Sequence, residues 1–231
     1  MRRFVPHVGV LPPEQQGVWP SLAPLPTLGF VLYGGTAIAL RLGHRPSLDF
    51  DFFTDQPLDQ TALFQQIALL ASAQTIQLAP NTWTVQVAHP SPVAGAPGTL
   101  VKVSFFGGID VGRIGEPELT ADGVAAVAAP EDLLAHKLKV VLQRVEAKDY
   151  RDVAALLRSG MSLTTGLGGA ATLFGTSFPP AESLKALVYF VGGDLATVDQ
   201  ADRTTLQTAV AAIDPRAGLP SVPRLASALI A

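Results

Sequence analysis

Between Gly29 and Phe53 the pattern of apolar and polar positions changes period twice, and the rest of the chain is ordered around that change. The run Gly29 to Tyr33 is apolar and reads as a buried strand. Gly34-Gly35 form a turn, Thr36 to Leu42 reads as a short helix, and from Ser47 to Phe53 apolar and acidic residues alternate. Successive side chains of a strand point to opposite faces. Asp49 and Asp51 therefore share one face, while Leu48, Phe50 and Phe52 are expected to pack into the core on the other. Asp55 and Pro57 end the strand. Apolar residues at 58, 63, 67 and 70 approach helical spacing, which predicts a helix over 58–73 against one face of the sheet.

Thr75 to Leu78 and Trp83 to Ala88 alternate and read as antiparallel strands joined by a turn at Pro80-Asn81. Pro90 to Gly98 is an expected loop. Leu100 to Phe106 alternates again, with Val101, Val103 and Phe105 facing one way and Lys102, Ser104 and Phe106 the other. After Val124 to Val127 the chain turns alanine-rich and helical, which places a domain boundary near Ala128. Pro130-Glu131-Asp132 suits a helix start, since proline fits the first turn and acids there complement the helix dipole. Leu134, Leu138, Val141 and Val145 form its expected buried stripe, with Lys137 and Arg144 at the margin. Asp149 reads as the N-cap of a following helix with Asp152 in its first turn. Further helices are expected over 163–174, 180–190 and 201–213. Residues 1–27, proline-rich with a short helix near 14–22, form a covering segment, and 214–231 a surface tail with one short helix. The domains expected are thus 1–27, a core over 28–128 and a helical domain over 129–231.

Composition narrows the class. The chain has 231 residues, 48% of them hydrophobic, and no cysteine, so disulfides, thiolate metal sites and a cysteine nucleophile are excluded. A net charge of −3 argues against coating nucleic acid by bulk charge. No apolar run reaches the length of a membrane helix, and the cytoplasm is the expected location. His7, His44, His89 and His136 lack metal spacing, although His44 lies beside Arg45. Neither a GxxxxGK loop nor a GxSxG elbow occurs, and the GLGG at 166–169 follows no strand.

The chemistry concentrates at the glycines and the acids. Two carboxylates side by side suit Mg²⁺, which takes hard oxygen ligands from one or two carboxylates and leaves its other positions to water and substrate. A Gly-Gly turn opening a helix lets backbone N–H groups approach a phosphate without a Cβ in the way.

Tyr33-Gly34-Gly35, thirteen residues, then Asp49-Phe50-Asp51-Phe52 resembles the signature of the polymerase-β-like nucleotidyltransferase superfamily. GGTAIAL with GHRPSLDFDFF is similar to one branch, the AbiEii/AbiGii nucleotidyltransferase toxins, and KLKVVLQRVEAKDYRDVAALL resembles a second block of that family. The resemblance implies an α+β fold, a mixed sheet with helices followed by a C-terminal helical domain. It implies that Asp49 and Asp51 bind Mg²⁺ or Mn²⁺ and that Gly34, Gly35, Thr36, Arg45 and Ser47 hold the nucleotide. Lys137 would bind its phosphates, and Asp152, or else Asp149, would be the second-domain acid needed for activity. From the residues alone, Lys137 reads as a snorkelling surface cation, and the aspartates as partners of Arg144 or Lys148.

One departure is physical. The superfamily places a third carboxylate where this chain has Ser104, and a hydroxyl balances no cation charge. Either Asp110 substitutes, or the site runs on Asp49 and Asp51, the reading adopted, or catalysis is lost. The implied activity is transfer of a nucleoside monophosphate from an NTP to an acceptor, RNA such as a tRNA 3′ end, with an antitoxin protein as restraining partner. A small antibiotic-like acceptor and an inactive nucleotide-binding fold are the alternatives.

Overall fold

The computed structural model of the protein describes residues 1–89, 99–214 and 216–230; the expected loop over 90–98 and the side chain of His89 lie outside them. The chain divides into two compact units. The first comprises Met1–Gly112, Glu116–Ala128 and Ser227–Ala231, the second Arg113–Gly115 and Ala129–Ala226.

The first unit is built on a mixed sheet. In chain order it contains β1 (Arg3–Phe4), α1 (Pro13–Val18), β2 (Val31–Tyr33), α2 (Gly34–Leu42), β3 (Asp49–Phe53), α3 (Gln60–Gln66), β4 (Gln74–Ala79), β5 (Thr82–His89), β6 (Thr99–Phe106), β7 (Glu118–Thr120) and β8 (Ala126–Val127). Across the sheet the order is β1-β7-β8-β2-β3-β6-β5-β4. At its centre β3 runs antiparallel to β2 and parallel to β6. With the helical second unit this is an α+β architecture.

One face of the sheet is aromatic. Phe52, Phe105 and Trp83 stand opposite one another on β3, β6 and β5, and their rings stack at centroid separations of 6.1 and 5.7 Å. Phe50 stacks on Phe52 and on Trp19 of the N-terminal segment, at 6.3 and 5.8 Å. Burying each such ring contributes about 1.5–3 kcal/mol. The first 27 residues therefore complete the core as well as covering it: Trp19, Leu22 and Leu25 are buried, and the Trp19 indole donates to Asp122.

Two apolar expectations are corrected here. Leu48 is 67% exposed and precedes β3, because its neighbour Ser47 turns inward to Thr36 and Leu48 then faces out. The helix expected over 58–73 breaks at Ile67. That residue adopts an extended conformation that buries its side chain, and a 3₁₀ turn over Ala68–Ser72 follows.

The second unit packs α4 (Pro130–Val140), α5 (Ala147–Arg158), α6 (Leu163–Phe174), α7 (Pro180–Val188) and α8 (Gln200–Ala211). Leu134, Leu138 and Val141 are buried as expected, but Val145 is exposed and Arg144 lies off the helix. The reason is the short turn that closes α4 through the N–H groups of Leu142 and Gln143. Asp149 is not an N-cap. Glu146 holds that position, and the first N–H of α5, on Ala147, donates to the Asp194 carboxylate at 2.6 Å. Among the described residues the tail after Asp214 contains no helix.

The GLGG segment lies inside α6, where glycine lets neighbours approach. A Cβ on Gly166 would lie 2.6 Å from Leu134 Cδ2, and one on Gly168 2.4 Å from the backbone oxygen of Pro220. A backbone atom yields less readily than a side-chain tip. Gly168→Ala should therefore lower stability by about 1–3 kcal/mol, read as an earlier midpoint in urea unfolding, and an unchanged midpoint would refute this packing.

Candidate active site

Asp49, Asp51 and Phe53 are part-exposed and alternate with fully buried Phe50 and Phe52, so both carboxylates project from the face opposite the stacked rings. Asp51 stands between Tyr33 on β2 and Ser104 on β6, and Asp49 is opposite Lys102. Beyond them on β5 follow Thr84 and Gln86.

Gly34 brings the start of α2 down onto this row. Its φ is +75°, in the left-handed region that favours glycine, and a Cβ there would lie 3.0 Å from Asp51 Oδ2. Gly35 and Thr36 follow in the first turn. The Thr36 hydroxyl lies 2.8 Å from Ser47 Oγ and also bonds to the Asp49 carbonyl. Those contacts pin the loop between α2 and β3 from both ends. Both hydroxyls are buried and thereby fix the approach of the acid strand. Arg45, part-exposed in the same loop, donates to the carbonyl of Pro46 at 2.8 Å.

The donor set fits a cation shared with substrate. Two carboxylates on one strand face offer hard oxygens, as Mg²⁺ or Mn²⁺ requires. Among the described residues no group of three or more His, Asp or Glu side chains is placed to hold a metal ion. A cation here would complete its coordination with water and phosphate oxygens. Ser104 is buried directly opposite Asp51 and brings no charge. Asp110 is exposed in the loop after β6, past Gly108 and Ile109, whose N–H groups bond to Gln56 and Thr54 beyond the far end of β3.

Sequence reasoning assigned Lys102 no role. Its ammonium lies 3.3 Å from Asp49 Oδ2, with both side chains about one third exposed. The available signal was its parity with Ser104, two residues on.

In the second unit Lys137 is buried, not marginal, and its ammonium lies 2.6 Å from Asp149 Oδ1 and 2.7 Å from Asp152 Oδ2, both fully buried. Arg144 reaches back to grip Asp149 through two bonds of 2.7 and 3.0 Å, while Lys148 pairs with Glu146. Burial raises the Asp149 carboxyl, but the Arg144 and Lys137 bonds outweigh it and hold the group below its ordinary value. The structure thus brings together Asp49 and Asp51 with Gly34, Gly35, Thr36 and Ser47 in one unit, and Lys137 with Asp149 and Asp152 in the other.

Residues 23–178 match the family described as nucleotidyl transferase AbiEii toxin, type IV TA system. An uncharacterised protein of Aquifex aeolicus (strain VF5) is 30% identical over 131 residues, which is 56% of this chain and 58% of that relative. The chain therefore spans less than two thirds of that protein. Among solved structures, MenT4, a nucleotidyltransferase toxin from Mycobacterium tuberculosis H37Rv, is 16% identical with a TM-score of 0.45, over 83% of this chain and 89% of that one. With two thirds of its length matched, the chain belongs to the AbiEii family of nucleotidyltransferase toxins.

Proposed function

We propose that this chain transfers a nucleoside monophosphate from an NTP to RNA, at a tRNA 3′ end, and that an antitoxin protein restrains it in the cytoplasm. In the reaction an acceptor hydroxyl oxygen bonds to the α-phosphorus, the bond from that phosphorus to the bridging oxygen of the β-phosphate breaks, and pyrophosphate leaves while the hydroxyl proton passes to solvent. The observation that carries this reading is the pair of acids on one face of β3, directly beneath the glycine start of α2.

Asp49 and Asp51 would hold Mg²⁺ or Mn²⁺, which when bound activates the acceptor hydroxyl and offsets charge on the phosphates. Gly34, Gly35 and Thr36 present backbone N–H groups at the start of α2, where negative charge is favoured. Arg45 adds positive charge from the adjoining loop, and Ser47 holds that loop to Thr36. Lys137, which the resemblance assigns to the phosphates, has its ammonium held between Asp149 and Asp152 in the second unit. Positioning, more than covalent chemistry by the protein, would account for the rate.

The test is incubation of the purified chain with each labelled NTP, total RNA and Mg²⁺. Label should enter RNA with one preferred nucleotide and should vanish with EDTA. Label appearing on small molecules but not on RNA would move the acceptor to the antibiotic-like class. Absence of any NTP turnover with RNA or small-molecule acceptors would reject the transferase.

A further inference from the structure

We infer that Lys102 is a phosphate-binding residue of the β3 site and replaces the charge of a second divalent cation, so that the chain operates with one cation per nucleotide. This rests on the transferase reading of the preceding section. Lys102 and Ser104 project from β6 on the same face as the acids, opposite Asp49 and Asp51 respectively. Ser104 is buried and neutral, and Thr84 and Gln86 behind them on β5 are neutral as well. Lys102 is thus the charged side chain on that face of β5 and β6.

The charge balance decides between one cation and two. Asp49 and Asp51 contribute −2 and Lys102 contributes +1, leaving −1 among the three. One divalent cation brings the site to +1, the same charge that three carboxylates with two divalent cations would present to a triphosphate. A second would face the positive charge of the ammonium as well as that of the first cation, with neutral Ser104 where a third carboxylate would offset them. Nor can Ser104 supply the missing carboxylate. The lysine head sits on a flexible four-carbon stem with three donors. When a cation takes Asp49, the displaced ammonium has the triphosphate as its nearest partner of opposite charge. The contact to Asp49 therefore holds the lysine ready over the position where phosphate arrives.

The probe is Mn²⁺ titrated into the full chain with a non-hydrolysable α,β-methylene NTP, counted by electron paramagnetic resonance. One tightly held Mn²⁺ per chain is expected. Lys102→Ala should weaken the analogue by about tenfold or more, in keeping with loss of a charge-assisted contact, while Lys102→Arg should restore most of that affinity. The double change Lys102→Ala, Ser104→Asp should admit a second Mn²⁺. Lys102 is part-exposed, so unchanged thermal melting is expected for its two single variants, whereas the carboxylate at buried position 104 should lower the melt of the double variant unless cation is bound. Two Mn²⁺ per native chain, or analogue affinity within about twofold after Lys102→Ala, where the expected loss is tenfold, would overturn the inference and leave the transferase standing. Equal Mn²⁺ and analogue binding by an Asp49→Ala, Asp51→Ala chain would instead remove the site itself, and the inference with it.

Discussion

Asp51→Asn should cut nucleotide transfer by about 10³-fold or more, equivalent to about 4 kcal/mol of transition-state stabilisation, while the protein stays folded. Asparagine keeps the shape beneath Gly34 and removes the charge. Asp51 is part-exposed, so folding does not depend on that charge as it would in the core. The expected signature is a lost rate with an unchanged melting temperature. Transfer within tenfold of the native chain would mean that Asp51 is not a cation ligand. Asp49→Asn should be similar in rate but also frees Lys102 from its 3.3 Å contact, so the two variants should differ in nucleotide affinity.

Lys137→Met should be the most destabilising single change at neutral pH. It removes the cation shared by two fully buried carboxylates, and leaving buried charge without its partner costs about 3–5 kcal/mol. Asp149 keeps its bonds from Arg144, which limits the loss. The pH dependence has opposite sign in the two proteins. In the native chain the Asp149 carboxyl is held below its ordinary value of 3.8, so its contribution is complete above that pH and is lost as pH falls through the folded value. In the variant, burial with less compensation raises the carboxyls, and acidification then relieves the cost by protonating them. Urea unfolding at pH 7.5, 5 and 3 reads this: the contribution of Asp149 to the native chain is level from 7.5 to 5 and falls away toward 3, while the variant gains stability from 7.5 to 5. Stability of Lys137→Met equal to native at pH 7.5 would show that the cluster is not a buried ion network. Because Lys137 supports the fold, a rate loss in this variant counts only where the folded fraction has been measured.

The site in β3 was legible because strand geometry has period two. Alternation in DFDF fixed the faces without further information, and the parity of β6 put Lys102 and Ser104 on one face, whereas the pairing of Ser104 with Asp51 rests on the register of β3 and β6. Leu48 escaped because the residue before a strand has no such constraint, and here a hydroxyl pair between Thr36 and Ser47 sets the direction instead. Ile67 escaped for a similar reason: one extended residue buries it where helical spacing would have sufficed. In the second unit, helical projection put Arg144 on the margin of α4, yet the helix had already ended and the guanidinium turned back to Asp149. Lys102 was visible as a letter and as a direction; that its head lies against Asp49 depends on a register between distant strands. Trp19 is the longest reach of all, since a proline-rich segment gives no period from which to foresee a ring stacked on Phe50.

The acids hang from a backbone whose reverse side carries a stack of rings, from Trp19 through Phe50 and Phe52 to Phe105 and Trp83. The aim of the carboxylates is thus inherited from the interior. Warming that lets those rings slip would blunt turnover before the chain melts, and a sealed aromatic, far from any solvent, would then behave in assays as though it took part in the chemistry.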